Sequence, residues 1–176
     1  MSVKINFKNF NSISCGKLQI NYYIDDEACK AAQMMFGFSC NTLSVDGDIV
    51  PVIIMGNGFE KLSENAKMFM LCHEAGHINL GHLKTFGEMY GDNNIYNSLC
   101  RESTPTIEVE ADSFAASIIM CQDMVWKDVI KIYDELIELL EDCESAKEQI
   151  IRRKELIEYC KPNIIESVKQ IKALSK

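Results

Sequence analysis

Apolar positions recur along the chain with two different spacings, and the change from one to the other marks the elements. Phe38 to Val45 and Ile49 to Met55 are dense in apolar and β-branched residues, with Asp46-Gly47 between them. An Asp-Gly pair tolerates the positive φ of a tight turn, so this stretch predicts a β-hairpin. Pro51 has no amide donor and is expected on an edge strand, and Gly56-Asn57-Gly58 ends the run. After that the spacing turns helical. Ser63 is placed as the N-cap of a helix from Glu64 to about Leu80, with Gly81 as its stop and His82 just beyond. An earlier helix is expected from Asp25 to about Phe36, with Ile24, Ala28, Ala31, Ala32 and Met35 on one side.

Lys84 to Thr104, which includes the turn cluster Gly91-Asp92-Asn93-Asn94, reads mostly as loop. Thr104-Pro105 then opens a helix, threonine as cap and proline in the first turn. From Met124 three apolar stripes follow: Val125, Val129, Ile132, Leu136, Leu139 and Leu140; Ile150, Ile151, Leu156 and Ile157; Ile164, Ile165, Val168, Ile171 and Leu174. Breaks are expected near Glu141 to Ser145 and at Pro162. These helices cover the core or each other; the alternative is a helix-mediated dimer or partner contact through residues 124–174.

At 176 residues and 47% apolar content the chain can bury one good core. A net charge of −8 argues against direct nucleic-acid binding, and Arg152-Arg153-Lys154 reads as a solvated helix face. The start Met-Ser-Val-Lys lacks a signal-peptide apolar region, and no run approaches the roughly 20 apolar residues of a membrane span, so a soluble cytoplasmic protein is expected. Eight cysteines without a C-x-x-C pair are expected as reduced thiols, with Cys72 and Cys121 at core positions. A regulatory role for Cys72, beside His73, is disfavoured because neighbours on a helix point about 100° apart.

The chemistry is concentrated in His73-Glu74-Ala75-Gly76-His77. A shuffled chain of this composition would show H-E-x-x-H with a probability of about 0.005, so chance is a poor explanation. On the Ser63 helix the two histidines lie one turn apart and can share one zinc ion, while Glu74 can take a proton from water without binding the metal. His82 does not fit as a third ligand, since the extended three-histidine motif needs glycine at position 80 and histidine at position 83, which are Leu80 and Leu83. A carboxylate from the next helix is the usual supplier. Glu108 and Asp112 share a face and Glu110 points away, which assigns Glu108 as third ligand and Asp112 as acceptor of a histidine N–H, expected from His73. Ala111, Ala115 and Ala116 are small enough to let the two helices approach.

His73 to His82, followed by Ile107 to Met120, resembles the ImmA/IrrE metallopeptidases of bacteria and their mobile elements, over roughly residues 45 to 121. The resemblance implies His73, His77 and Glu108 as ligands of one zinc ion per chain and Glu74 as general base. It implies an α+β fold: a zincin-like core over residues 1–122, a small antiparallel or mixed sheet with an H-E-x-x-H helix and a glutamate-bearing helix. A C-terminal helical extension, residues 123–176, would pack on that core or continue it. The implied activity is cleavage of an intracellular regulator, commonly a helix-turn-helix repressor of a phage or mobile element. Val50, Val52 and Ile54 are expected to hold an extended substrate by strand addition, and Tyr90, Tyr96 and His82 are candidates to stabilise the oxyanion. A non-proteolytic, antirepressor-like binding protein with a structural or vestigial metal site is the alternative, which a general base at Glu74 disfavours. A zinc hydrolase of small amides is a third reading. Zinc is favoured by two histidines and one carboxylate, with manganese and iron as competitors.

Overall fold

The apolar run Ile49–Met55 forms the interior of the sheet. In the computed structural model, which describes residues 10–15, 18–32, 34–43, 46, 48–83, 104–140 and 143–174, four strands make one mixed sheet: β1 (Phe10–Cys15), β2 (Leu18–Ile24), β3 (Gly37–Leu43) and β4 (Ile49–Met55). Their order is β1-β2-β4-β3. The expected hairpin is present, antiparallel with Gly37 opposite Met55 and Leu43 opposite Ile49. Gly47 of the expected turn, the loop residues 84–103 and the candidates Tyr90 and Tyr96 lie outside the described residues.

Strand β4 is flanked on both sides, contrary to the edge position expected from Pro51. The reason is register. Its pairing with β2, which is parallel, is confined to Tyr23 with Ile54 and Ile24 with Met55, so the missing Pro51 amide leaves no ladder bond to β2 unmade. Burial on two faces also explains why β4 reads as a continuous apolar run rather than an alternation. Ile53 and Met55 pack in the main core, whereas Val52 and Ile54 pack with Phe38, Cys40, Ala28, Cys29 and Ala32 in a second cluster. The hairpin of β1 and β2 was not expected from the sequence: its burial is confined mainly to Cys15 and Ile20, and a strand with so little apolar alternation gives a weak signal.

Among the described residues, six helices follow or interleave: α1 (Asp26–Ala31), α2 (Asn57–Glu60), α3 (Glu64–Asn79), α4 (Pro105–Cys121), α5 (Trp126–Leu139) and α6 (Glu144–Leu174). Helix α1 is shorter than the Asp25 to Phe36 expectation. Met34 N–H donates to the Cys29 carbonyl at 2.9 Å and closes it, and the Phe36 carbonyl instead accepts from Gly56 N–H at 2.9 Å. Ser63 caps α3 as expected, its hydroxyl accepting from Ala66 N–H. The same residue is tied to α5, its amide and hydroxyl donating to Glu135 at 2.5 and 2.6 Å. Thr104 caps α4, with Pro105 at the first position.

Helix α6 runs unbroken through Pro162, where a break was expected. Pro162 and Glu158, whose carbonyl loses its helical donor there, both lie on the exposed side of the helix, so water can replace the lost bond. A single buried stripe of Ile150, Ile157, Ile164 and Val168 keeps the helix continuous against the core. That core is shared: the same cluster contains Phe69, Leu71, Ala115 and Ile119 with Val129, Tyr133 and Leu136 of α5 and the four buried residues of α6. No described helix is long and apolar enough to cross a membrane. The seven described cysteines are free. Cys72 is fully buried and meets the Cys15 thiol, whereas Cys121 is only half-buried.

Candidate metal centre

Helices α3 and α4 touch where a glycine faces an alanine. A Cβ added to Gly76 would lie 3.2 Å from both Cα and O of Ala111, and Ala111, Ala115 and Ala116 are fully buried. Larger residues at this crossing would hold the helices apart and separate the groups they carry.

That approach brings His73, His77 and Glu108 together as a group that could bind a metal ion. His73 Nε2 and His77 Nε2 are 3.1 Å apart, His73 Nε2 lies 3.4 Å from Glu108 Oε2, and His77 Nε2 lies 3.5 Å from Glu108 Oε1. Bonds of about 2.0–2.1 Å to a tetrahedral ion put its donor atoms about 3.3–3.4 Å from one another, so the three groups are spaced as three corners of such a site. Among the described residues the group holds two imidazoles and a carboxylate, the donor set of a catalytic site that keeps its fourth position for water or substrate.

Two of the three groups, His73 and Glu108, are backed by one shared network. His73 Nδ1–H donates to Asp112 Oδ1 at 2.8 Å, the contact expected from the spacing. Asp112 is fully buried and is gripped in turn by Arg153 of α6, Nε to Oδ2 at 2.9 Å and Nη2 to Oδ1 at 2.5 Å. Arg153 Nη1 also lies 3.2 Å from Glu108 Oε2. Arg153 is thus no solvated residue, contrary to the expectation for Arg152-Arg153-Lys154; of the three only Arg152 is exposed, and Lys154 pairs with Asp134 at 2.6 Å. The signal was present in the pattern: Arg153 falls three residues after Ile150 and four before Ile157, on the buried stripe where a charge needs a partner.

Glu74, 5% exposed, accepts a hydrogen bond from Ser39 Oγ of β3 at 2.9 Å. Ser39 stands opposite Ile53, on the sheet face that meets α3. Val52 and Ile54 are buried on the other face, and Ile54 is paired on both sides, with Phe38 and Tyr23, so the substrate edge expected along Val50, Val52 and Ile54 is closed at Ile54. Among the described residues, β3 is the outer strand of the sheet on the side of Glu74. His82 stands between His77 and Glu110, at 3.1 Å from each.

The electrostatics follow from this arrangement. Burial and the Arg153 charge press the His73 pKa down, but the charges and hydrogen bonds of Asp112 and Glu108 outweigh them and raise it to about 9. Burial, with His73 beside it, lowers His77 to about 3. Burial alone would raise Glu108, yet the hydrogen bond and charge of His73 and the Arg153 charge bring it down to about 2. Asp112 is held well below the usual carboxylate range for the same reason, its Arg153 and His73 partners overcoming burial. Glu74 is shifted the other way, upward, chiefly by burial. Comparisons with protein-family models, with curated proteins and with solved structures find no match.

Proposed function

We propose that this protein is a zinc-dependent endopeptidase with a zincin-like core, acting in the cytoplasm on an intracellular regulatory protein. The resemblance to the ImmA/IrrE metallopeptidases supports a helix-turn-helix repressor of a phage or mobile element as that substrate. The observation that carries the reading is the triangle of His73, His77 and Glu108 donor atoms with 3.1–3.5 Å edges, beside a buried glutamate that is not one of its corners. A zinc ion held there would supply a Lewis acid that polarises the scissile carbonyl and makes water more acidic. A structural site has no use for the neighbouring carboxylate and would close its fourth position with protein.

The remaining chemistry belongs to the chain. Glu74 takes the proton of the attacking water and passes it to the leaving amine. Its upward shift from burial makes it a stronger base than an exposed glutamate and a carrier that keeps the proton until the amine departs. Ser39 fixes which carboxylate oxygen is engaged and so which one faces the reaction. A divalent ion and Arg153 together match the charges of Glu108, Asp112 and Glu74, so the site is neutral with its base ionised.

The test compares the parent with Glu74→Gln for metal content and for cleavage of a co-expressed helix-turn-helix repressor. The parent is expected to hold about one zinc and to cut; Glu74→Gln is expected to keep the zinc and to cut at least about 100-fold more slowly. Equal action of both proteins on the repressor without cleavage would overturn the peptidase in favour of a binding protein. A parent that holds manganese or iron instead would correct the metal alone.

A further inference from the structure

The third histidine is used neither by the triangle of donor atoms nor by the proposed base, yet it is 8% exposed and meets His77 through one ring nitrogen and Glu110 through the other. Its place is fixed by how α3 ends. Gly81 takes a φ of +72°, a conformation glycine adopts without a Cβ penalty. His82 N–H then donates to the His77 carbonyl at 2.9 Å and Gly81 N–H to the Ile78 carbonyl at 3.2 Å. This pair of bonds turns the residue after the glycine back over the helix residue five positions earlier, where an apolar contact is usual. Here the two residues are both histidines, with ring centroids 5.2 Å apart.

We propose that His82 and Glu110 are positioning residues for His77, a relay that selects the tautomer a metal needs. His77 Nδ1 and His82 Nδ1 are 3.1 Å apart, and His82 Nε2 is 3.1 Å from Glu110 Oε2. A carboxylate at that end accepts, so His82 carries its proton on Nε2 and presents the lone pair of Nδ1 to His77. His77 must then donate from Nδ1, which leaves the lone pair of Nε2 directed at Glu108 and His73. Glu110 is the carboxylate that holds the His82 proton on Nε2; a His82 that carried it on Nδ1 would make His77 an acceptor at Nδ1, with its own proton on Nε2 where the metal would bind. Both ligand histidines are therefore oriented by carboxylates: His73 directly by Asp112, His77 through an interposed imidazole.

This inference rests on the metal-centre reading, and the experiment separates the two. Zinc affinity is measured by chelator competition for the parent, His82→Ala, Glu110→Ala and Glu110→Gln, with thermal unfolding of each as a control. Tautomers are read at pH 7 from two-bond nitrogen–proton spectra of histidine-labelled, metal-free protein. The parent is expected to show His77 protonated on Nδ1. His82→Ala is expected to shift it towards the Nε2–H form and to lose roughly 10–100-fold in zinc affinity. Glu110→Ala should lose about tenfold, and Glu110→Gln, which keeps an acceptor oxygen, should recover most of that. A parent that binds zinc while all three variants bind equally well, with the His77 tautomer unchanged, overturns the relay alone. A parent that binds no zinc overturns the metal centre, and the relay with it.

Discussion

The two histidines of the centre are one helical turn apart and chemically alike, yet their surroundings differ. His73 is backed by a fully buried carboxylate that is clamped by an arginine from α6, and its pKa is raised to about 9. His77 is backed by a second imidazole whose far side meets a carboxylate 55% exposed, and its pKa is lowered to about 3, chiefly by burial. One side of the site is a closed ionic network built into the core; the other opens to water within two side chains. The closed side should therefore carry the folding stability of the site and the proton cost of loading it, whereas the open side should carry little beyond orientation.

Removing Arg153 is the largest way to break that contrast. Arg153→Ala leaves the buried charge of Asp112 without its bidentate partner, and losing one member of a buried pair costs about 3–5 kcal/mol. Urea unfolding of the metal-free protein measures it. A loss below about 1 kcal/mol would mean that the closed side behaves as a surface pair and that the contrast is false. Since α6 supplies the arginine, the C-terminal helix is part of the centre and not only a cover over it.

Proton release sharpens the same contrast. With its pKa near 9, His73 is protonated at pH 7 in the metal-free protein, and its Nε2, which then carries a proton, lies 3.1 Å from His77 Nε2, on the side a metal would take. Metal binding at pH 7 should release about one proton, and affinity should rise about tenfold per pH unit until pH 9, because the competing proton is lost there. Calorimetry in buffers of different ionisation enthalpy counts the proton. Asp112→Asn removes the main carboxylate that raises His73 while burial and Arg153 still lower it, so release should fall towards zero. No release from the parent would place the raised pKa in doubt.

Folding of the metal-free protein has a matching pH profile. His73, raised from 6.5, adds stability that is full below pH 6.5 and is lost as pH rises to about 9. Glu108, lowered from 4.5, adds stability that is full above pH 4.5 and is lost as pH falls to about 2. His77 resists protonation in the folded state, so it further weakens the fold as pH falls from 6.5 to about 3. The optimum should lie near pH 6–7, and chemical denaturation across pH 3–10 reads it.

How much of this was legible in the sequence depends on distance along the chain. Ser63, Gly81 and Thr104 act through bonds to residues three or four positions away and Pro105 through its fixed φ at the first helical position, and each does what its local chemistry predicts. Glu108 and Asp112 were found because one helical face fixes both. Arg153 was not, since it meets Asp112 from 41 residues further on and only a charge on an apolar stripe betrayed it. Ser39 is 35 residues from Glu74, and nothing in its neighbours marks it. His82 was the avoidable miss: the glycine stop was recognised, and the turn it makes already returns the next residue to His77. With Pro51 the opposite occurred, a sound local rule outweighed by a register in which β2 never reaches that residue.

The smallest expected effect tests the open side. Glu110 is 55% exposed and its contact with His82 is a single hydrogen bond at 3.1 Å, so Glu110→Ala should change folding stability by less than about 1 kcal/mol in the metal-free protein. Its neighbour two positions earlier on α4, Glu108, is 17% exposed and paired with Arg153, so the same change there should cost more. The pair of unfolding curves isolates burial, because helix, residue type and substitution are held constant. If Glu110→Ala proves as costly as Glu108→Ala, the relay to His77 is part of the core's support, and the two sides of the centre differ in proton affinity only.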